Sequence, residues 1–117
     1  MAIKFRGINI ASKDPKRLTL FYRDVLGMNM LEDDANYDGV TFGNAGGEPV
    51  FWIWDENTWG KANEGAVQLV FDCGDTHQTV YEELKAKGVE LDPPKVAVWG
   101  GTELTLKDPD GNSVLLL

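Results

Sequence analysis

Two amphipathic helix signatures recur in this chain at a single spacing of 61 residues. Asp14 and Asp75 are placed to cap the two helices, and Gly27 and Gly88 are placed to end them. Apolar residues follow a helical period between cap and stop: Leu18, Phe21, Tyr22 and Val25 in the first, Val80, Tyr81 and Leu84 in the second. A cap and a stop that recur together predict a fold built from two copies of one unit.

Strand signals surround both helices in the same order. The predicted strands, separated by Gly, Asn, Asp and Pro turns, are 3–11, 28–33, 36–43, 49–55, 66–72, 95–99, 102–107 and 112–117. The segment 108–112, Asp-Pro-Asp-Gly-Asn, is a tight turn that makes the last hairpin. The chain is therefore predicted to be an α+β protein, one domain over 1–117 with βαβββ modules at 1–58 and 62–117. The segment 56–65 is long enough to be a mobile connection between them.

Charge and cysteine usage exclude several classes of function. Eleven basic and 19 acidic residues give a net charge of −8, which opposes the surfaces of nucleic acids and anionic lipids. The single cysteine, Cys73, has no partner for an intrachain disulfide or a Cys-rich metal site. No apolar run is long enough to cross a bilayer, and no secretory signal is recognisable at the N-terminus. We expect a cytoplasmic protein with no nucleic-acid or membrane partner.

Two motifs carry a resemblance to a known family. The helix segment 21–27, Phe-Tyr-Arg-Asp-Val-Leu-Gly, and the turn at 108–112, set in a repeated βαβββ unit, resemble the vicinal oxygen chelate superfamily. That superfamily includes glyoxalase I, bleomycin-resistance proteins and extradiol dioxygenases. The resemblance spans essentially the whole chain and implies a curved mixed sheet, formed by the two modules around a cleft. It also implies a homodimer, because a lone chain would leave apolar sheet surface and strand edges exposed.

Enzymes of this superfamily place one metal ligand on each of four strands in the cleft. The resemblance puts these positions at Gly7, Trp52, Gln68 and Leu115. Glycine, tryptophan and leucine offer no donor to zinc, nickel or non-haem iron, and only Gln68 has an oxygen. The one histidine, His77, begins the second helix, where we expect a solvated first-turn residue. We therefore expect no metal, no other cofactor and no catalytic residue.

Strand alternation divides the side chains between two faces, since residues two apart share a side. If the four family positions face the cleft, the opposite face packs under the helices and is almost wholly apolar: Ile8, Ile10, Phe51, Ile53, Val67, Leu69, Phe71, Val114 and Leu116. The remaining cleft-facing residues are then Asn9, Ala11, Val50, Trp54, Ala66, Val70, Ser113 and Leu117.

Tryptophan is concentrated where the cleft is expected. Of the four tryptophans, Trp52 and Trp54 lie on the fourth strand, Trp59 in the segment after it, and Trp99 near the matching strand of the second half. Indole rings stack on planar ligands and attract cations, which favours a binding cleft. The alternative is that Trp52 and Trp54 fill a dimer interface or plug the cavity.

Other residues are secondary candidates for ligand contacts. Asn9 and Gln68, interpreted as lying on paired strands, are placed to orient a ligand by hydrogen bonds or to satisfy one another. Tyr37 is a candidate for the mouth of the cleft, and Leu115 for its apolar wall. Acidic residues at the expected rim would attract a cationic ligand: Asp38, Asp55, Glu56 and Glu103. Cys73 is not expected to act as a nucleophile.

The sequence predicts a metal-free binding protein that sequesters a planar hydrophobic or aromatic small molecule, preferably a cationic one. This is similar to the bleomycin-resistance branch of the superfamily and implies a role in antibiotic resistance. One alternative is a glyoxalase-, isomerase- or dioxygenase-like enzyme with an unusual or absent metal. Another is a regulatory or interaction module whose cleft has become solid core.

Overall fold

Each half of the chain folds as a strand, a helix and three further strands. The computed structural model describes residues 6–61 and 67–117 and divides the chain into units 1–64 and 65–117. The first unit contains β1 (Ile8–Ser12), α1 (Pro15–Leu20), β2 (Asn29–Glu32), β3 (Val40–Gly43), β4 (Pro49–Asp55) and α2 (Glu56–Trp59). The second contains β5 (Gln68–Phe71), α3 (His77–Ala86), β6 (Lys95–Val96), β7 (Thr102–Lys107) and β8 (Ser113–Leu116). The predicted α+β class is confirmed.

Each unit has a four-stranded mixed sheet, and the two sheets have equivalent strand orders, β1-β4-β3-β2 and β5-β8-β7-β6. The first and last strands of each unit pair in parallel, and the remaining neighbours are antiparallel. A parallel pair needs a long crossover between its strands, which the helix and the two intervening strands provide. The same topology in both halves is what the 61-residue repeat predicts.

The first helix begins and ends where the sequence predicts, but it changes from an α-helix to a π-helix along its length. The Asp14 side chain accepts a hydrogen bond from the backbone N–H of Arg17 at 3.2 Å. After Leu20 the chain continues as a π-helix over Phe21–Val25. The consecutive rings of Phe21 and Tyr22 are both buried and meet edge to face, with centroids 5.3 Å apart. The wider π turn is therefore part of the core of the first unit.

The second helix signature predicts the helix but not its cap. The N-cap of α3 is Thr76 and not Asp75, and the Thr76 hydroxyl donates to the Cys73 carbonyl at 2.7 Å instead of capping the helix. The expectation that His77 is solvated is also wrong, because its side chain is only 8% exposed. His77 lies two helical turns before buried Leu84 and so shares its inward face.

Strand alternation correctly predicts which side chains form the two cores. Six of the predicted helix-facing residues are buried: Ile10, Phe51, Ile53, Leu69, Val114 and Leu116. The other three, Ile8, Val67 and Phe71, are half-buried, whereas Asn9, Val50, Gln68 and Val70 on the opposite face are exposed. The predicted strand residues 3–5 and 66 lie outside the described residues.

The segment after β4 is more ordered than predicted. Instead of a loop, 56–59 forms the short helix α2, capped by Asp55, whose carboxylate accepts from the backbone N–H of Asn57 at 2.9 Å. Part of the predicted connection, 62–65, lies outside the described residues. Within the described part of the chain, no helix has the length and hydropathy needed to span a membrane.

Asp108 organises the last hairpin, between β7 and β8. Its buried carboxylate accepts from the backbone N–H groups of Asp110 and Asn112 at 3.0 and 2.8 Å, and from Nδ2 of Asn112 at 2.8 Å. We expect Asp108→Ala to lower the free energy of unfolding by about 1–2 kcal/mol, because these donors lose their acceptor. Urea denaturation measures this. The exposed Asp33→Ala is the control and should change stability by less than about 0.5 kcal/mol; equal losses would contradict the prediction.

Candidate ligand-binding site

A cavity of about 410 Å³ lies on the first sheet, on the face opposite its core side chains. Its volume is within the usual range for small-molecule sites, roughly 300–1,000 Å³. The lining residues come from the entry to β1, from β1 and β4, and from the turn before β3: Arg6, Gly7, Asn9, Gly39, Trp52 and Trp54. Three of the residues predicted for the ligand site, Asn9, Trp52 and Trp54, therefore share one cavity wall.

Gly7 and Trp52 fit together as a pair. Gly7 has a φ of +147°, and a Cβ added there would lie 2.7 Å from Cζ3 of the Trp52 indole and 2.6 Å from the Val50 carbonyl oxygen. On the next residues, β1 runs parallel to β4 with Asn9 opposite Trp52. The indole thus occupies the space into which a side chain at position 7 would project.

Arg6 is a cavity residue that sequence reasoning missed. Its guanidinium carbon lies 5.6 Å from the centroid of the Trp52 ring, in a cation–π contact. Alternation within the predicted strand 3–11 put position 6 on the face opposite Gly7. Because β1 begins only at Ile8 and Gly7 has a positive φ, that alternation does not extend back to Arg6. Arg6 therefore occupies a ring face on which a cationic ligand was expected to bind. This contact argues against the predicted preference for cationic ligands.

Trp54 is the second aromatic wall of the cavity. It lies opposite Ala11 in the parallel pairing of β1 and β4, so no large side chain faces it from the neighbouring strand. Its ring nitrogen Nε1 is buried and has no hydrogen-bond partner among the described residues. A buried donor without an acceptor costs about 1–3 kcal/mol.

Trp59 and Trp99 do not line this cavity. They are 67% and 64% exposed, and each indole N–H already donates to a carboxylate. Nε1 of Trp59 lies 2.8 Å from Asp38, and Nε1 of Trp99 lies 3.1 Å from Glu103. Asp38 also accepts from the backbone N–H of Asp55 at 2.9 Å. These rim carboxylates, predicted to attract a cation, are hydrogen-bonded within the protein.

Tyr37, a candidate for the mouth of the cleft, is not among the residues that line the cavity. It is half-buried with a φ of +58°, and Lys16 Nζ lies 5.9 Å from its ring centroid. Two residues later, Gly39 does line the cavity, and its N–H donates to the Ile53 carbonyl at 2.8 Å. Tyr37 therefore belongs to the turn that presents Gly39.

The candidates of the second half lie on the second sheet. Nε2 of Gln68 donates to Oγ of Ser113 at 3.0 Å, and half-buried Leu115 lies opposite Val70. The interpretation that Asn9 and Gln68 are on paired strands is wrong, because β1 pairs with β4 and β5 pairs with β8. Each of these first strands pairs in parallel with the last strand of its own unit.

The side chains at the four family ligand positions do not fit a metal. The indole of Trp52 fills the space beside Gly7, and Gln68 uses its amide on Ser113. Across residues 6–61 and 67–117, no group of three or more His, Cys, Asp or Glu side chains is arranged to hold a metal ion. We therefore derive no chemistry through a metal at these positions.

A larger cavity, of about 550 Å³, lies in the second unit between the end of α3 and the strands β7 and β8. Its lining includes charges of both signs, Lys85 and Lys107 with Glu90 and Asp92, and no aromatic ring. It offers no planar stacking surface, so the tryptophan-lined cavity is the better candidate for an aromatic ligand.

The environment of Cys73 makes its thiol a poor nucleophile. Burial and then the adjacent Asp72 carboxylate raise the pKa of Cys73 above its usual value. A raised pKa leaves less thiolate at neutral pH. We expect iodoacetamide to alkylate the folded chain more slowly than free cysteine at pH 7.5, and the rate to rise as the pH is raised. The urea-unfolded chain is the control; a folded-state rate equal to that of the unfolded chain would contradict the prediction.

Comparison with known proteins places this geometry in a family. The family model described as the Glyoxalase/Bleomycin resistance protein/Dioxygenase superfamily matches residues 4–116. A lactoylglutathione lyase structure from Agrobacterium tumefaciens is 19% identical, with a TM-score of 0.76, and the match covers 98% of this chain and 92% of that one. TnmS3, an antibiotic binding protein from Streptomyces sp. CB03234, is 23% identical with a TM-score of 0.77, covering 99% and 96%. No curated protein gives a significant match. At these identities the structural likenesses show the fold alone, which is common to an enzyme and a binding protein.

Proposed function

Because the chain belongs to the glyoxalase/bleomycin resistance protein/dioxygenase superfamily, we propose that it is a metal-free binding protein that sequesters a planar aromatic or hydrophobic small molecule. The observation that carries this proposal is the cavity on the first sheet, whose walls are Trp52 and Trp54. At a position where an enzyme of the family needs a metal ligand, this chain has a stacking surface. An antibiotic-binding protein is among the structures with the same fold, which supports a role in antibiotic resistance.

The cavity combines features that favour binding a flat ligand. Two of its lining residues, Gly7 and Gly39, have no side chain, and two carry indole rings, so much of the wall is flat. Aromatic stacking contributes about 0.5–1.5 kcal/mol per ring pair beyond the area buried. Asn9, exposed beside Trp52 and opposite it in the sheet, offers an amide that can orient a polar group of the ligand.

Metal analysis and a ligand screen together test the proposal. Elemental analysis of the purified chain should find far less than one nickel, zinc or iron per chain. Planar aromatic compounds should quench the intrinsic tryptophan fluorescence in a saturable way, with the signal lost in a variant lacking Trp52 and Trp54. One stoichiometric transition metal per chain would overturn the proposal in favour of the enzymatic alternative. A screen in which no planar compound binds at up to millimolar concentration would overturn it in favour of an interaction module.

The assembly and location of the chain remain predictions. The second sheet exposes Val70, with 55% of its surface accessible, on the face away from its core. We propose that a homodimer in the cytoplasm covers such surface, since apolar sheet faces of soluble proteins are usually covered.

A further inference from the structure

We infer that the cavity on the first sheet is selective for planar aromatic anions, whose carboxylate or phenolate group pairs with Arg6. This deepens the proposed function and rests on it. It also reverses the preference for a cation that net charge and tryptophan content predicted. Three features of the cavity carry it: the charge of its wall, the state of the neighbouring carboxylates, and the hydrogen-bond donors of Arg6.

Arg6 is the single charged residue among those described as lining the cavity. It forms no ion pair with any residue of 6–61 or 67–117, and its guanidinium carbon lies over the face of Trp52, 5.6 Å from the ring centroid. A cation–π contact uses the charge of the guanidinium and leaves its five N–H donors available for hydrogen bonds. Those donors match the two oxygens of a carboxylate in a bidentate pair. A flat ligand that lies on the tryptophan wall would therefore bring an anionic edge within reach of Arg6.

The carboxylates near the cavity do not compensate for Arg6. Asp38, adjacent to Gly39 in the chain, accepts from the Trp59 indole and from the backbone N–H of Asp55. Asp55 in turn caps α2. These acceptors are directed at protein donors and none of these carboxylates lines the cavity. Neither Asp38 nor Asp55 is paired with Arg6, so the guanidinium donors can pair with an anionic ligand.

The net charge of −8 does not decide the preference inside the cavity. At physiological ionic strength the Debye length is about 8 Å, so charges spread over the rest of the surface are largely screened there. A group in hydrogen-bond contact with Arg6 lies well inside that length. The local cation therefore outweighs the distant anions, whose effect is on the rate of approach. A cationic group at the same place would be repelled by Arg6.

The hydrogen-bonding capacity of Arg6 points to the same complement. An arginine side chain has only donors. An electron-rich, acceptor-bearing edge is therefore the ligand chemistry that fits this end of the wall.

Three probes on one ring system test the charge preference: 2-naphthoate, 2-naphthamide and 2-naphthamidinium, which are anionic, neutral and cationic but nearly equal in shape. Their affinities for the full chain are measured by isothermal titration calorimetry. We expect the naphthoate to bind about tenfold more tightly than the naphthamide, because charge-assisted pairing is stronger than neutral hydrogen bonding, and the amidinium to bind most weakly. Arg6→Gln should remove the preference for the naphthoate while changing the affinity for the naphthamide by less than about threefold.

Lys13→Gln is the matched control, since it removes one positive charge from an exposed residue of the same unit outside the cavity lining. It should leave all three affinities within about twofold of the parent. Equal binding of naphthoate and naphthamide to the parent, or an equal loss of all three probes in Arg6→Gln, would overturn the anion inference while the proposed function stands. If neither these probes nor their tricyclic analogues bind, the proposed function fails and the inference fails with it.

Discussion

Replacing Trp52 with alanine is expected to weaken binding of a planar aromatic probe about five- to 150-fold. Trp52 is the half-buried ring that stands against Gly7 and beneath the Arg6 guanidinium, so a ligand stacked on the cavity wall loses its largest contact. The lost stacking and apolar area correspond to roughly 1–3 kcal/mol. Calorimetric titration with 2-naphthoate is the appropriate measurement, because it does not depend on the fluorescence of the residue removed.

Trp59→Ala is the control for this prediction. Trp59 is largely exposed at the end of α2, its indole is bonded to Asp38, and it lies outside the cavity lining. The substitution should change the affinity by less than about twofold. If Trp52→Ala binds the probe as tightly as the parent, this face of the first sheet is not the binding surface. If both substitutions weaken binding equally, the site extends to α2 and the cavity is only part of it.

Local signals were sufficient to predict most of the fold. Asp14 caps α1 as expected because its carboxylate reaches the N–H of Arg17, an interaction that involves only neighbours in sequence. Strand alternation correctly separated buried Phe51 and Ile53 from half-buried Trp52 and Trp54. Successive side chains of a strand point to opposite faces of the sheet, and only one face of this strand is buried in the core.

Features that depend on tertiary packing could not be predicted in this way. The π turn at Phe21–Val25 has no marker in the residues it contains and accompanies the burial of two consecutive rings. His77 is buried because α3 begins directly after Thr76, which turns position 77 toward the core with Leu84. Both outcomes depend on how a helix packs on its sheet. The spacing of apolar residues in the sequence does not determine this packing to within one residue.

The residues of the candidate site likewise separate into those that local sequence predicts and those that it does not. Asn9, Trp52 and Trp54 were predicted as cavity residues because regular strands fix their side. Arg6 was missed because it precedes Gly7, where the positive φ ends the strand alternation. Gly39 was missed because it lies in the turn before β3. The hydrogen bonds of Asp38 to Trp59 and of Glu103 to Trp99 were not predicted, because they join residues 21 and 4 positions apart and composition cannot reveal them.

Replacing Gly7 with alanine is expected to lower the free energy of unfolding by about 2–4 kcal/mol. Two costs combine at this position. A φ of +147° is strained for any residue with a Cβ. The added methyl group would also overlap the Val50 carbonyl oxygen at 2.6 Å and the Trp52 ring at 2.7 Å. Urea denaturation followed by far-ultraviolet circular dichroism measures the loss.

Gly46→Ala separates the two costs. Gly46 has a φ of +71° and no atom within 4 Å of an added Cβ, so only backbone strain of about 1 kcal/mol is expected there. The double variant Gly7→Ala with Trp52→Ala should lose about 1 kcal/mol less than the sum of its single changes, since the ring overlap is gone while the Val50 carbonyl remains. Strict additivity would contradict the pairing of Gly7 with Trp52. Coupling of the expected size would mean that any side chain introduced at position 7, a metal-ligating histidine included, must first displace the indole that forms the cavity wall.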